Sequence, residues 1–422
     1  MLRQSYSADI LRKYVRKKDF RIFQLKHKNE DELRGDLHFF SESINDGSFK
    51  FSKFENFIIR NKKAYKLNSF CDTVVLRHID EILKRIYKVK QSDRSLISRQ
   101  IKTLLHDNTS FSVIRTDVKT FYESINPKYL INKFDVDCIV SSKNCHLLKI
   151  AHLKDDDYGS SGLRRGLNIS STISEIYMRD FDKLVSQFDG VYFYARYVDD
   201  MIIFSSKSPT HVLSEVKSKL KSMNLELNMQ KTRIMYYPCK KVFENSARLK
   251  RCDEADLCEH KNKNISFLGY SFQFACSALR NRDKQNNVEV RIASNKIKKI
   301  KTRITRSFLE YTNNRDFNLL YRRIQFLTGN FRVESKTRVG YLLSGIYYNY
   351  HLITKNDDLV DLDRFLRTAI YSKKSFWSKM NLSGKECELL CRLSFVSGFK
   401  NKICNKYTNA DLKILKSCWK YE

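Results

Sequence analysis

Residues 190–204 read GVYFYARYVDDMIIF. Aromatic and β-branched residues fill this run except at Asp199 and Asp200, a residue type that is depleted in strands and costly to bury unpaired. A β-hairpin with the acidic pair at its turn accommodates both facts, although a plain solvated turn is the better reading of the pair when it is taken alone. A second β-prone run, FSVIRTDV at 111–118, carries another carboxylate, Asp117, far away in sequence. Two strands of one sheet can bring these acids together.

Carboxylates gathered in one place repel and raise each other's pKa unless a cation offsets them, and an oxygen-rich site of this type suits Mg²⁺, with Mn²⁺ as the other fitting ion. A pair of such ions ~3.5–4 Å apart can activate an attacking hydroxyl and stabilise a leaving phosphate group. Between the two runs, residues 170–185 space Ile173, Ile176, Tyr177, Phe181 and Leu184 along one helical face. Residues 1–110 read as mostly helical and basic, notably RHIDEILKRIYKVK at 77–90. Beyond about residue 290 the pattern turns fully helical. There Ile297, Ile300, Ile304, Phe308 and Tyr311 form an apolar stripe rimmed by Lys298, Lys299, Lys301, Arg303 and Arg306.

Composition narrows the class. Hydrophobic residues make up 42% and charged ones 30% of 422, which suits two or three packed units and excludes a fibrous or disordered chain. With 3 prolines and 12 glycines, no Pro/Gly-rich linker marks a boundary. The 79 Lys+Arg against 47 Asp+Glu leave +32, far above the ~2–8 that solubility asks for, so a polyanion such as nucleic acid is the expected partner. No run reaches the ~18 apolar residues of a membrane span and the N-terminus lacks a secretory pattern, so the expected setting is cytoplasmic, with no membrane partner. The 11 cysteines, irregularly spaced, are expected to be reduced. Cys239, Cys252, Cys258 and His260 raise a zinc site, but no C-x-x-C pair anchors it, and ordinary thiols are the favoured reading.

Five blocks in order carry a family resemblance. IRTDVKTFYESI at 114–125 resembles the first catalytic block of reverse transcriptases, D-x-x-x-[FY]-[FY], and RYVDD at 196–200 resembles their Y-x-D-D signature. GLRRGLNISSTISEIYM at 162–178 is similar to the nucleotide-binding helix, LNMQKT at 227–232 to L-N-x-x-K-T, and FLGYSF at 267–272 to the primer-grip turn. The resemblance implies an α+β right-hand polymerase with fingers, an antiparallel-sheet palm and a helical thumb. Its expected divisions are fingers at 1–110 and 127–189, palm at 111–126 and 190–280, thumb at 285–380, and a helical extension at 381–422.

The resemblance also implies roles. Asp117 and Asp199, with the Val118 carbonyl, would bind two ions, and Asp200 would assist or hold the hairpin. Tyr122 matches the gate whose ring collides with a 2′-hydroxyl, which makes dNTPs the expected substrate. Gly166 and Ser170 match the helix bordering the incoming base. Arg164 and Arg165 stand where the family usually has Pro and Gln, so nucleotide contacts differ there; Arg165 is expected on nucleotide or template, or else is a surface arginine. Lys231 would protonate the leaving pyrophosphate or simply bind phosphate. Arg94 and Arg99 are offered for the triphosphate, or else are structural arginines; Phe267, Leu268, Gly269 and Tyr270 are offered for the primer, or else form a buried strand end; and the basic residues from Lys298 to Arg306 are offered for template-primer, or else form a solvated face.

In style the chain is most similar to bacterial retron, abortive-infection and defence-associated enzymes. LTGNFRVE and LLSGIYYNY further resemble the type-three defence system, in which two polymerases act with a noncoding RNA. The implied partners are a template RNA, the DNA product, and a second polymerase or another copy of the chain. Two rival readings stand beside this one: untemplated or protein-primed DNA synthesis, and a noncatalytic RNA-binding scaffold.

Overall fold

The computed structural model describes residues 4–25, 30–59, 62–107, 111–153, 162–237, 264–275, 287–334, 341–372 and 381–419. Contacts divide the chain into two units, Met1–Asp93 with Ser110–Glu259, and Arg94–Thr109 with His260–Glu422. The expected grouping of 1–110 therefore loses its last helix to the second unit. The candidate zinc residues Cys239, Cys252, Cys258 and His260 lie outside the described residues.

In the first unit the order is α1 (Ala8–Arg12), α2 (Lys17–Ile22), α3 (Glu30–Asn45), β1 (Glu55–Ile59), β2 (Lys62–Lys66) and α4 (Phe70–Ile86). After α5 (Arg94–Leu105), which belongs to the second unit, come β3 (Phe111–Asp117), α6 (Phe121–Ser124), α7 (Pro127–Asp137), α8 (Ser142–Leu153) and α9 (Asn168–Val185). The unit continues with β4 (Val191–Tyr197), β5 (Asp200–Ser205), α10 (Pro209–Ser222) and β6 (Arg233–Tyr237).

An antiparallel sheet of order β4-β5-β3-β6 forms the centre of this unit. Its inner strands lie in the core: Met201, Ile202, Ile203 and Phe204 of β5 are fully buried, as is Ile114 of β3. Helices α9 and α10 pack on the sheet. On α9, Ile173, Ile176, Tyr177 and Phe181 are buried as expected, but the stripe ends on Val185 while Leu184 stays half-buried. The step from 181 to 185 keeps the helical i, i+4 spacing.

The β1–β2 hairpin was not legible in the sequence. Every side chain of β1 is exposed, so no period-2 burial pattern marks it.

The expected fully helical pattern beyond about residue 290 is interrupted by short strands at 330–334, 341–345 and 404–406. Besides α5 the second unit contains β7 (Asn264–Phe267), β8 (Tyr270–Ala275) and β9 (Asn287–Ile292), joined as one three-stranded antiparallel sheet. The expected palm range 190–280 therefore covers strands of two separate sheets, since β7 and β8 pair with each other and β8 with β9.

Next come α11 (Ser294–Asn314), α12 (Phe317–Thr328), β10 (Asn330–Glu334), β11 (Tyr341–Gly345), α13 (Ile346–Tyr350) and α14 (Asp357–Tyr371). The unit closes with α15 (Gly384–Cys391), α16 (Phe395–Lys400), β12 (Cys404–Lys406) and α17 (Asn409–Leu415). The two blocks LTGNFRVE and LLSGIYYNY meet as the antiparallel pair β10–β11, with β12 parallel on the other side. Asn330, fully buried, organises this corner by donating to the Gly398 and Ile403 carbonyls and accepting from the Tyr347 amide.

Candidate active site

Register brings the acids together. Asp117 at the end of β3 lies directly opposite Asp200 at the start of β5, and Tyr197 faces Asp200 from β4. Only Val198 and Asp199 remain for the turn. Val198 adopts φ +62°, a conformation that glycine supplies freely at the first position of a type II′ turn and that is a strained exception for a β-branched side chain. Strain of this kind costs on the order of 1–3 kcal/mol and persists only where neighbours enforce it.

LNMQKT packs along the end of β3. The Asn228 amide donates to the Asp117 carbonyl at 2.8 Å, the Lys119 amide to Glu226 at 2.9 Å, and the hydroxyls of Thr116 and Thr232 meet at 2.8 Å. Val118 bridges to Leu227, and its amide donates to the Asp199 carbonyl at 3.3 Å. Lys231 is turned back onto the acids, with Nζ donating to Asp117 Oδ2. That hydrogen bond, together with the charges of all three aspartates and against some burial, raises the ammonium pKa above its ordinary value. Burial pushes the Asp200 carboxyl up, Arg115 opposes the shift, and Asp199 and Asp117 add to it; Arg115 Nη2 stands 3.9 Å from Asp200.

The donor chemistry fits a hard divalent cation. Asp117 is almost wholly buried, and its Oδ1 has no hydrogen-bond partner among the described residues. A buried carboxylate oxygen left in that state is expensive unless a cation meets it. Among the described residues no three Cys, His, Asp or Glu side chains are gathered as a metal cluster. The donors on offer are two carboxylates, Asp117 and Asp199, and the Val118 carbonyl.

Tyr122 sits on α6 beside this corner. The Leu163 amide donates to its carbonyl at 2.7 Å, and the Arg165 guanidinium lies over its ring, 5.0 Å from the centroid. Arg165 is held by Glu123, which accepts from Nε at 3.0 Å and from Nη2 at 3.3 Å. Burial raises the Tyr122 phenol pKa, with a hydrogen bond to Ser174 opposing it.

Gly166, at φ +101°, permits the close approach of β2. A Cβ there would sit 2.6 Å from the Tyr65 carbonyl oxygen, and the Tyr65 amide donates to the Arg165 carbonyl at 2.7 Å. Ser170 is buried and closes the same loop by donating to the Arg164 carbonyl at 2.6 Å. Arg164 is itself buried, donating to the Ala151 carbonyl and lying 4.3 Å from the Phe54 ring centroid. Arg164 thus braces the loop from beneath, a role the sequence did not announce.

The remaining site candidates lie in the second unit. Phe267 and Tyr270 close a two-residue turn of Leu268 and Gly269, at φ +47° and +87°. Arg94 is committed to that turn. Its Nε donates to the Leu268 carbonyl at 2.7 Å, and its guanidinium lies 5.1 Å from the Tyr270 ring centroid and 5.9 Å from that of Tyr350. Arg99 is exposed on the same helix.

On α11 the expected inward stripe is buried at Ile304, Phe308 and Tyr311, while Ile297 and Ile300 are only half-buried. Lys298 is exposed; Lys299, Lys301, Arg303 and Arg306 are half-buried. The Lys301 ammonium lies over Phe365 and the Arg303 guanidinium over Trp419. Among the described residues no helix is long and apolar enough to cross a membrane.

Sequence reasoning also missed Arg196. Its signal was present: Glu175 and Asp182 are seven residues apart on α9, hence on one face, and an arginine precedes the acidic turn. Arg196 is buried and donates to both carboxylates and to the Val198 carbonyl.

The family profile described as reverse transcriptase (RNA-dependent DNA polymerase) matches residues 59–272, half of the chain. No curated protein matches. Among solved structures the chain is similar to apo telomerase from Candida tropicalis truncated from its C-terminal domain, at 14% identity and a TM-score of 0.34, over 64% of this chain and 50% of that one. The chain thus spans half the length of that structure.

Proposed function

Since the chain belongs to the reverse transcriptase family, whose α+β right-hand fold and nucleotidyltransferase chemistry go with it, we propose that it is an RNA-directed DNA polymerase acting at Asp117, Asp199 and Asp200. The observation that carries this reading is the register that sets Asp117 against Asp200 beside a strained acidic turn. Asp117, Asp199 and the Val118 carbonyl would hold two divalent cations, Mg²⁺ by donor type, with Mn²⁺ fitting the same oxygens. Bound there, the ions would supply Lewis-acid activation of the primer 3′-hydroxyl and charge stabilisation of the departing pyrophosphate.

The chain's own residues do the rest. Tyr122, its ring flanked by Arg165, would bar a 2′-hydroxyl and so select dNTPs. Gly166 and Ser170 shape the loop that borders the incoming base. Lys231, already protonated and within reach of Asp117, is placed to neutralise or protonate the leaving phosphate. The turn Phe267–Tyr270 would hold the primer end, and Lys298 with its neighbours on α11 would contact phosphates of the template-primer.

We propose further that the template is a noncoding RNA and that the product serves antiphage defence in the bacterial cytoplasm, with a second polymerase chain as partner. The support is the resemblance of residues 327–334 and 342–350 to the type-three defence group. One variant tests both levels. Asp199→Ala should abolish Mg²⁺-dependent, RNA-templated dNTP incorporation by folded protein, and phage should then plate normally on cells carrying it. Wild-type incorporation by the folded variant would sink the assignment; incorporation that needs no template would favour the untemplated rival.

A further inference from the structure

Arg196 spends all five of its N–H donors inside the protein. Nε donates to Asp182 Oδ1 at 2.8 Å, and Nη2 to Asp182 Oδ2 and Glu175 Oε2, both at 2.7 Å. Nη1 donates to Glu175 Oε1 at 3.2 Å and to the Val198 carbonyl at 2.8 Å. The Tyr194 hydroxyl completes the cluster by donating to Asp182 at 2.6 Å. Two carboxylates against one guanidinium would suffice to satisfy a buried charge. The fifth bond is the informative one, since it fixes the carbonyl of the peptide that leads into Asp199.

That peptide needs fixing. Val198 stands at φ +62° without the conformational freedom of glycine, so the turn left to itself would relax toward negative φ and swing Asp199 away. Meanwhile Glu175 and Asp182 belong to α9, the helix whose first turns border the nucleotide loop at Gly166 and Ser170. We propose that Arg196 is a positioning residue: it clamps the strained acidic turn to α9 so that Asp199 is preset to bind the cation beside Asp117. This rests on the reading of Asp199 as a metal ligand. Partners of this outer kind typically cost about 10–100-fold in metal affinity or activity when removed.

The test is Mn²⁺ binding to the full chain, followed by electron paramagnetic resonance of free Mn²⁺, alongside steady-state incorporation. Arg196→Lys keeps the charge but cannot span both carboxylates and the carbonyl. Mn²⁺ affinity and kcat should each fall about tenfold, while KM for dNTP changes less than twofold. Adding Val198→Gly, which adopts the same φ freely, should recover much of both losses. Glu175→Gln, a milder variant that keeps the shape of the pocket, should show the same pattern at smaller size and covers the case in which Arg196→Lys fails to fold. Unchanged Mn²⁺ affinity and kcat in the folded variants, or losses that Val198→Gly does not relieve, would overturn the role of Arg196. A wild-type protein that neither binds Mn²⁺ nor incorporates dNTP would instead overturn the reading beneath it.

Discussion

Two hairpin turns of this chain have the same length and opposite supports. Each has two residues between paired strands, Val198–Asp199 in the first unit and Leu268–Gly269 in the second, and each puts a branched apolar residue at positive φ. In each an arginine donates to that residue's carbonyl, Arg196 at 2.8 Å and Arg94 at 2.7 Å. The difference lies in how the arginine is paid for electrically. Arg196 is buried between two carboxylates, whereas Arg94 is half-buried with its guanidinium against the rings of Tyr270 and Tyr350. Charge pairing in a dry site is stiff and directional, while stacking tolerates sliding. The turn proposed to aim a metal-binding carboxylate has the stiff support. The turn proposed to follow a primer end has the compliant one.

The comparison predicts unequal costs. Arg196→Met strands two carboxylates in a largely buried place, and removing one partner of such a pair costs about 3–5 kcal/mol. Arg94→Met forfeits one hydrogen bond and two stacking contacts while its surroundings stay partly wet, for about 1–2 kcal/mol. Thermal unfolding of the two variants should preserve that order. Arg94→Met should also leave KM for dNTP unchanged, because its guanidinium serves the turn; a rise of tenfold or more would return Arg94 to the triphosphate role that its place in SDRSLISRQIK suggested.

What the sequence disclosed follows the range of the forces involved. The acidic hairpin and β3 were legible because their apolar runs are local and nearly continuous. The family blocks pointed to Asp117, Tyr122 and Lys231, and in the structure Lys231 donates to Asp117. Arg94, Arg164 and Arg196 were not legible, because an arginine in a sequence reads as charge. What each does depends on carbonyls, carboxylates and rings contributed from 13 to 174 residues away, or from within its own turn. The strands after residue 287 were missed for the related reason that they are short and lie between helices whose 3.6 period dominates any window.

Arg165 extends the stacked class into the first unit. It lies over Tyr122 as Arg94 lies over Tyr270, and Glu123 keeps it there. The pair is partly exposed, so Arg165→Gln should cost less than ~1 kcal/mol of stability. The ring it steadies is the proposed sugar gate, and freeing that ring should raise rNTP incorporation relative to dNTP several-fold with little change in kcat for dNTP. An unchanged rNTP-to-dNTP ratio would mean that Tyr122 is held by its packing alone.

The smallest expected effect is also the most direct probe of what an arginine clamp does to a turn. Leu268 and Gly269 are both at positive φ, the requirement of a type I′ turn, for which Asn-Gly is the favoured pair. Leu268→Asn relieves part of the left-handed penalty, which runs to about 1–2 kcal/mol for an ordinary side chain, but gives up a half-buried leucine. The net gain should be about 0.5 kcal/mol, a rise of one or two degrees in melting temperature for a unit of this size. The clamp hides part of that penalty by holding Leu268 where it would not otherwise stay. In the Arg94→Met background the turn must support its own φ, so the same substitution should gain more there than in the wild type. A double-mutant cycle on thermal unfolding measures the difference directly, as contacting residues couple by about 0.5 kcal/mol or more. Equal gains in both backgrounds would show that the Arg94 bond merely decorates a turn its own sequence already fixes, and would weaken the parallel drawn with Arg196 and Val198.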